Sequence, residues 1–331
     1  MRVNRETLVR IAKETALKRA NSDPGLVAAY LTGSLRTENP FLGNSTDIDM
    51  VLVHGGEVTI RREILALTPE VHLDIVHNLR SEYEKPKELR VNPWLGPDLY
   101  DSLPLYNTQH FFEFIQAGVR AGYDEPVNVM ARARRNADHA RQIWSGLGLT
   151  QESGPARLLS YLKSVNHAAN AIAVLTGSPL GERRFQLQFR ERAEAAGVPG
   201  LAVGLAGLLG SARQDAAALK EFIPDWERAF VEASGRENVS PGIALPRLGY
   251  YKLSFEAMLA GDSSQSILWP LMHTWTLSAA VLSPAHQARW KAACETLGLA
   301  GKEFNERMEG LDRFLDTVEE TLETMAARQG I

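Results

Sequence analysis

Residues 47–54, DIDMVLVH, put apolar side chains at every second position, and this alternation marks a strand with two unlike faces. Ile48, Met50 and Leu52 share one face, while Asp47, Asp49, Val51 and Val53 share the other. Two carboxylates therefore project together from a single sheet face. Acids that close repel each other unless positive charge lies between them, and the strand itself holds no Lys or Arg. A bound cation relieves the repulsion, and one or two Asp beside substrate phosphates are a usual setting for Mg²⁺. A third acid, Asp74, sits among apolar residues in VHLDIVHN (71–78), a second strand with His72, Asp74 and Val76 on one face. If the two strands pair, the three acids suffice for two metal ions and an in-line phosphoryl displacement. Asp74 has the most apolar flanks, so a raised proton affinity and the general-base role are expected of it.

The rest of the chain frames this strand pair. Residues 5–20 carry helical spacing, with Leu8, Ile11, Ala12 and Ala16 near one face. GLVAAYLTG reads as a strand ending at Gly33, and TIRREILALT (59–68) reads as helical. From about residue 108 onward, FFEFIQAGV, VNVMARARRNADHARQIWSGLG and PARLLSYLKSVNHAANAIAVLTG all show helix spacing, with Gly near the ends as stop signals. Residues 182–222 and 245–298 continue as helices. Phe304, Met308, Leu311, Leu315, Val318, Leu322 and Met325 then form a coiled-coil-like seam. It serves either the chain's own helical unit or a homodimer. The fold class is α+β: a mixed sheet with flanking helices over residues 1–110, then an all-helical domain over 111–331.

Charge and cysteine usage narrow the partners. A net charge of −4 gives no pull towards a nucleic-acid backbone, and the terminal helix is acidic. The single cysteine, Cys294, excludes an internal disulfide and a multi-cysteine zinc site. The charged first twenty residues lack a signal-peptide core, so a reducing cytoplasm is expected. GVPGLAVGLAGLLGSA (197–212) and SILWPLMHTWTLSAAVL (266–282) read as buried helices rather than membrane spans.

Gly33-Ser34 closes the strand before the acid pair. A Gly there lets backbone approach a ligand, and Ser34 and Arg36 can face phosphate oxygens. The order of strand, Gly-Ser, loop, Asp-Ile-Asp strand and later Asp strand resembles the nucleotidyltransferase superfamily that includes DNA polymerase β. YLTGSLRTENPFLGNSTDIDMVLV is most similar to small bacterial members such as kanamycin nucleotidyltransferase and other antibiotic adenylyltransferases. The resemblance spans residues 25–80 and extends weakly through LPLYNTQHFFEFI (103–115). It implies that Gly33 and Ser34 bind a triphosphate, that Asp47 and Asp49 hold Mg²⁺, and that Asp74 binds metal and can activate the acceptor. Relatives often carry an Arg three residues after the Ser; here Arg36 is two after it.

The implied reaction is transfer of a nucleoside monophosphate, with ATP the expected donor, to a hydroxyl of a small-molecule acceptor of aminoglycoside-like character, releasing pyrophosphate. Two Mg²⁺ ions are expected, and no membrane. Other readings are an AMPylating protein of toxin–antitoxin type, transfer-RNA tailing, disfavoured by charge, and a nucleotide-binding regulatory protein without turnover. Lys163, on an otherwise apolar helix, is either a surface stem or a nucleotide contact across the cleft. Tyr161 and Asn166 are weaker candidates of that kind. His77 should point away from His72 and Asp74. Arg132, Arg134, Arg135 and Arg141 read as a solvated face.

Overall fold

The computed structural model describes residues 4–149, 153–211, 214–237 and 239–331. Helix α1 (Arg5–Ser22) starts at Asn4, whose side chain accepts from the Thr7 amide and satisfies a free helix-end donor. Strands β1 (Leu26–Thr32), β2 (Thr46–His54), β3 (Arg62–Ala66) and β4 (Val71–Leu79) follow. Short helices α2 (Pro86–Arg90) and α3 (Leu95–Tyr100) lead to β5 (Leu103–Asn107) and α4 (Phe111–Arg120). The sheet order is β3-β4-β2-β1-β5; β2 and β4 run parallel, and the remaining neighbours are antiparallel.

The alternation of β2 divides the core in two. Ile48, Met50 and Leu52 pack with Leu8, Ala12 and Ala16 of α1. Val51 and Val53 pack on the opposite face with Ala28, Tyr30, Leu89, Leu99 and Phe112. That second layer covers only the far half of its face. The near half, where Asp47 and Asp49 stand, is left for the helical region.

The expected helix over 59–68 is instead the edge strand β3. A ten-residue helix is marginal on its own, whereas pairing with β4 satisfies the backbone along an open sheet edge. The change matters for function, because it brings Arg62 and Glu63 onto the sheet.

The helical region comprises α5 (Pro126–Leu149), α6 (Gly154–Ala173), α7 (Phe185–Ala195), α8 (Gly200–Leu208), α9 (Ala216–Ser234), α10 (Leu248–Ala260), α11 (Leu268–Val281), α12 (Ala288–Leu297) and α13 (Glu303–Gln329). Among the described residues, no helix is long and apolar enough to cross a membrane. The seam of α13 is used inside the chain: Phe304, Leu311, Leu315, Val318 and Leu322 are buried in the same core as α5, α6 and α8. Arg134 and Arg135 of α5 are exposed to solvent in part, but Arg141 and Arg132 are not on a solvated face. Arg141 reaches Asp312, Asp316 and Glu319 of α13 at 2.6, 2.6 and 2.8 Å. Arg132 is buried over the Tyr123 ring and donates to the Arg90 carbonyl.

Loop 37–45 is tied to the helical region by two arginines. Arg183 donates to the Ser45 hydroxyl at 2.6 Å and lies over the Tyr250 ring, while Arg184 donates to the carbonyls of Asn39 and Phe41. Gly43 has φ +61°, and a Cβ there would lie 1.9 Å from the Leu253 carbonyl oxygen. Only glycine lets the loop touch α10 this closely.

Candidate active site

Parallel pairing puts Asp47 opposite His72 and Asp49 opposite Asp74. Antiparallel pairing puts Thr32 opposite Asp49 on the other side. One row across the sheet is therefore Thr32, Asp49, Asp74, and a second holds Asp47 and His72. His77, as expected, faces the α1 side. Asp47 is buried and Asp49 half-buried. Among the described residues, none hydrogen bonds to or ion-pairs with either carboxylate. Burial, then the charges of Asp47 and Asp74, hold the Asp49 carboxyl well above the usual range, against the lesser pull of Arg247 and Arg62.

Asp74 is placed differently from the expectation. It is buried, and both its oxygens are taken. Arg62 Nε and a terminal Arg62 nitrogen donate to Oδ1 and Oδ2, each at 2.7 Å. Arg247, arriving just before α10, donates to Oδ2 as well. Burial alone would raise this carboxyl; the Arg62 hydrogen bonds and the charges of Arg247 and Arg62 outweigh it and hold it below the usual carboxylate value. The raised proton affinity expected at Asp74 belongs to Asp49, because the arginines neutralise the former and leave the latter facing its neighbours. Arg247 continues the network to Tyr251 and Glu182. Glu182 also meets His273, and against its burial these partners bring its carboxyl down to about 2.

The Gly-Ser end of the motif is built tightly. Gly33 has φ +71°, and a Cβ there would lie 1.8 Å from Asp49 Oδ2, so the backbone lies directly on that carboxylate. A single 3₁₀ turn, Ser34–Arg36, opens behind it. The Ser34 hydroxyl lies 3.0 Å from the Thr46 hydroxyl, which holds it at the head of β2. Arg36 is turned away: its Nε donates to the Asp101 carbonyl at 2.7 Å and it pairs loosely with the Asp101 carboxylate. Lys163 is exposed on α6 beside His139 and His167; burial lowers the proton affinity of both, followed by Lys163 at His139 and by His139 and then Lys163 at His167. No contact joins it to the aspartates. Tyr161 is buried with its hydroxyl on the Leu208 carbonyl, which removes it as a cleft contact. Asn166 accepts from Asn170 on its own helix.

Arg62, Arg247 and Asp98 of this neighbourhood escaped the sequence reading, and His72 was read only as sharing a face with Asp74. Arg62 was hidden in a stretch with helix-like spacing. Arg247 is 173 residues from its partner and had no local signal. His72 is fully buried with neither ring nitrogen hydrogen bonded, edge-on to Tyr250. Burial lowers its proton affinity to about 4, so it is a neutral ring beside Asp47. Asp98 of α3 accepts from Thr32 at 2.9 Å, and burial pushes its carboxyl up to about 6.

The donor set fits a cation at two acids rather than three. Among the described residues, no group of three or more His, Cys, Asp or Glu side chains is arranged to hold a metal ion. Asp47 and Asp49 fit one: two hard-oxygen donors without a partner, in a place where a Cβ at position 33 is forbidden.

No family model matches the chain, and no curated protein matches it. Among solved structures, it is similar to a nucleotidyltransferase-like protein from Exiguobacterium sibiricum, at 10% identity and a TM-score of 0.27, over 97% of this chain and 92% of that one.

Proposed function

We propose that the chain is a Mg²⁺-dependent nucleotidyltransferase that moves a nucleoside monophosphate from an NTP, with ATP the preferred donor, to an acceptor hydroxyl. The observation that carries this reading is the unpartnered Asp47–Asp49 pair lying against the Gly33 backbone. Asp47 and Asp49 hold the ion, which supplies charge neutralisation at the triphosphate when bound. Gly33 lets the backbone lie against Asp49, and Ser34, held by Thr46, offers its hydroxyl to the phosphate oxygens. A second ion would need Asp74, whose oxygens must first leave Arg62 and Arg247. In this reading the triphosphate draws those two guanidiniums onto itself and frees the acid. The acceptor is a small molecule with a free hydroxyl.

One observation favours a second reading. Asp74 held by two arginines is a stable charge arrangement without any substrate, which suits a nucleotide-binding regulatory protein that never turns over. Pyrophosphate release separates the two. The chain is incubated with each NTP and Mg²⁺, with and without a panel of aminoglycosides and other polyhydroxylated acceptors, and with the Asp47→Ala/Asp49→Ala double variant as blank. Release that needs one NTP, one acceptor and both acids supports the enzyme. NTP binding with no release under any condition sinks it and leaves the regulatory reading.

A further inference from the structure

Of the six tryptophans, Trp94 alone is exposed, by 53%. Its backbone is nevertheless fixed from two sides. Arg132 and Arg135 of α5 donate to the carbonyls of Arg90 and Val91, each at 2.8 Å. The Asn92 side chain accepts from the amides of Trp94 and Leu95, both at 2.9 Å, and closes the start of α3. Segment 90–95 is therefore clamped onto α5 while its indole is held out to solvent. A rigid aromatic ring in water is a pre-organised binding surface, because little freedom is left to lose when a ligand lands on it.

Two histidines brace the indole. His139 of α5 and His167 of α6 lie 5.7 and 6.0 Å from its centroid, nearly perpendicular to it, and 4.5 Å from each other. Seen from the indole, a triangle with those sides opens by only about 45°, so both imidazoles stand on one side and the other is open. Burial first, then His139 and Lys163, bring His167 down to about 4, and burial with Lys163 lowers His139. The two braces are therefore neutral at pH 7. Among the described residues, no cation lies over the indole, and Arg132 next to it covers the Tyr123 ring instead. Lys163, one turn before His167, is exposed and makes no hydrogen bond or ion pair with a described residue.

Helix α3 ties this indole to the acids. Asp98, one turn after Trp94, accepts from Thr32, and Thr32 stands opposite Asp49 and directly before Gly33. A helical turn of about 5.4 Å, one hydrogen bond and a strand spacing of about 4.8 Å separate the two places. A ribose bridges a gap of that scale between a base and its phosphates. We propose that Trp94 is the stacking platform for the purine base of the NTP, with the Lys163 ammonium at its rim. This rests on the reading that Gly33, Ser34 and the Asp47–Asp49 pair hold the triphosphate. Every base has a π-face, so stacking on an indole needs no hydrogen-bond code, and a two-ring purine covers more of the indole than a pyrimidine does. The platform therefore favours purine over pyrimidine donors and separates adenine from guanine only weakly.

The test uses the full chain and splits the donor into its parts: adenosine, Mg²⁺–tripolyphosphate and Mg²⁺–ATP. Binding is read by calorimetry, and contact with the base by NMR saturation transfer to the adenosine ring protons. Trp94→Ala should weaken ATP about tenfold, remove saturation transfer to adenosine and leave tripolyphosphate unchanged. Trp94→Phe keeps a ring and should recover most of the loss, which separates lost stacking from lost folding. Saturation transfer that survives Trp94→Ala overturns the proposal, as does equal weakening of ATP and tripolyphosphate. Tripolyphosphate binding that needs Asp47 and Asp49, with no contact to adenosine, overturns the platform and leaves the nucleotidyltransferase reading in place. Adenosine held by Trp94 without Mg²⁺-dependent tripolyphosphate binding keeps the platform and removes that reading. Binding of neither probe overturns both.

Discussion

Strands β2 and β4 send alternate residues to two faces that treat charge in opposite ways. On the α1 face, His54 and His77 each find a carboxylate, and Glu63 finds Arg19. On the face towards the helical region, Asp74 is saturated by two arginines while Asp47 and Asp49, within two residues of each other, have no partner among the described residues. The backbone is the same, and so is the period of two. The difference lies in what each face is packed against. Leaving a carboxylate pair half-buried and unneutralised costs stability, and a fold keeps such a pair where a ligand supplies the missing charge.

The contrast is broken most severely at the acids. Asp49→Asn or Asp47→Asn should lower NTP-dependent pyrophosphate release by at least about 10²-fold. His54→Gln, on the other face, should leave it unchanged. Equal losses from both would show that the faces are not functionally distinct. Removing Arg247 comes next. Asp74 and Arg247 are both buried, so Arg247→Ala takes a buried counter-charge from Asp74 and Glu182 and should cost about 3–5 kcal/mol in urea unfolding. Arg62→Ala should cost only about 1 kcal/mol, because Arg62 is 40% exposed and its contribution is screened.

Gly33→Ala should cost about 1–3 kcal/mol, from a left-handed φ and a Cβ driven into Asp49. The companion Asp49→Gly change should relieve part of that cost, and additive losses in the double variant would show that the two do not touch. A pH-dependent effect of the opposite sign concerns Asp98. Its folded-state value of about 6 lies above the unfolded one. The folded protein therefore holds a proton there that the unfolded chain releases, and the resulting penalty is present above pH 6 and gone below the unfolded value. Asp98→Asn should stabilise the protein at pH 7 by up to about 2 kcal/mol and leave it unchanged near pH 4. Urea midpoints at the two pH values measure this directly.

Where the sequence reading succeeded, short-range periodicity carried the signal. The alternation in 47–54 placed Asp47 and Asp49 on one face, and the run at 71–78 placed Asp74 beside them with His77 opposed. The seam of α13 was visible too, although not which surface it would meet. Where it failed, the deciding partner lay elsewhere. TIRREILALT carries helix-like spacing, and only the open edge of β4 makes it a strand. That one misreading concealed Arg62, and with it the charge state of Asp74.

What the sequence determined by itself was the strand pair, the glycine before it and the two acids that need a counter-charge, because these follow from a two-residue period and from Coulomb repulsion between neighbours. The tertiary structure decided which acid goes without one. Arg247 reaches Asp74 from 173 residues away, and Asp23 meets His54 from the end of another element. Proton affinity depends on what surrounds a group in space. Packing, not spacing along the chain, therefore gave Asp74 two arginines and left Asp49 with no neutralising partner among the described residues.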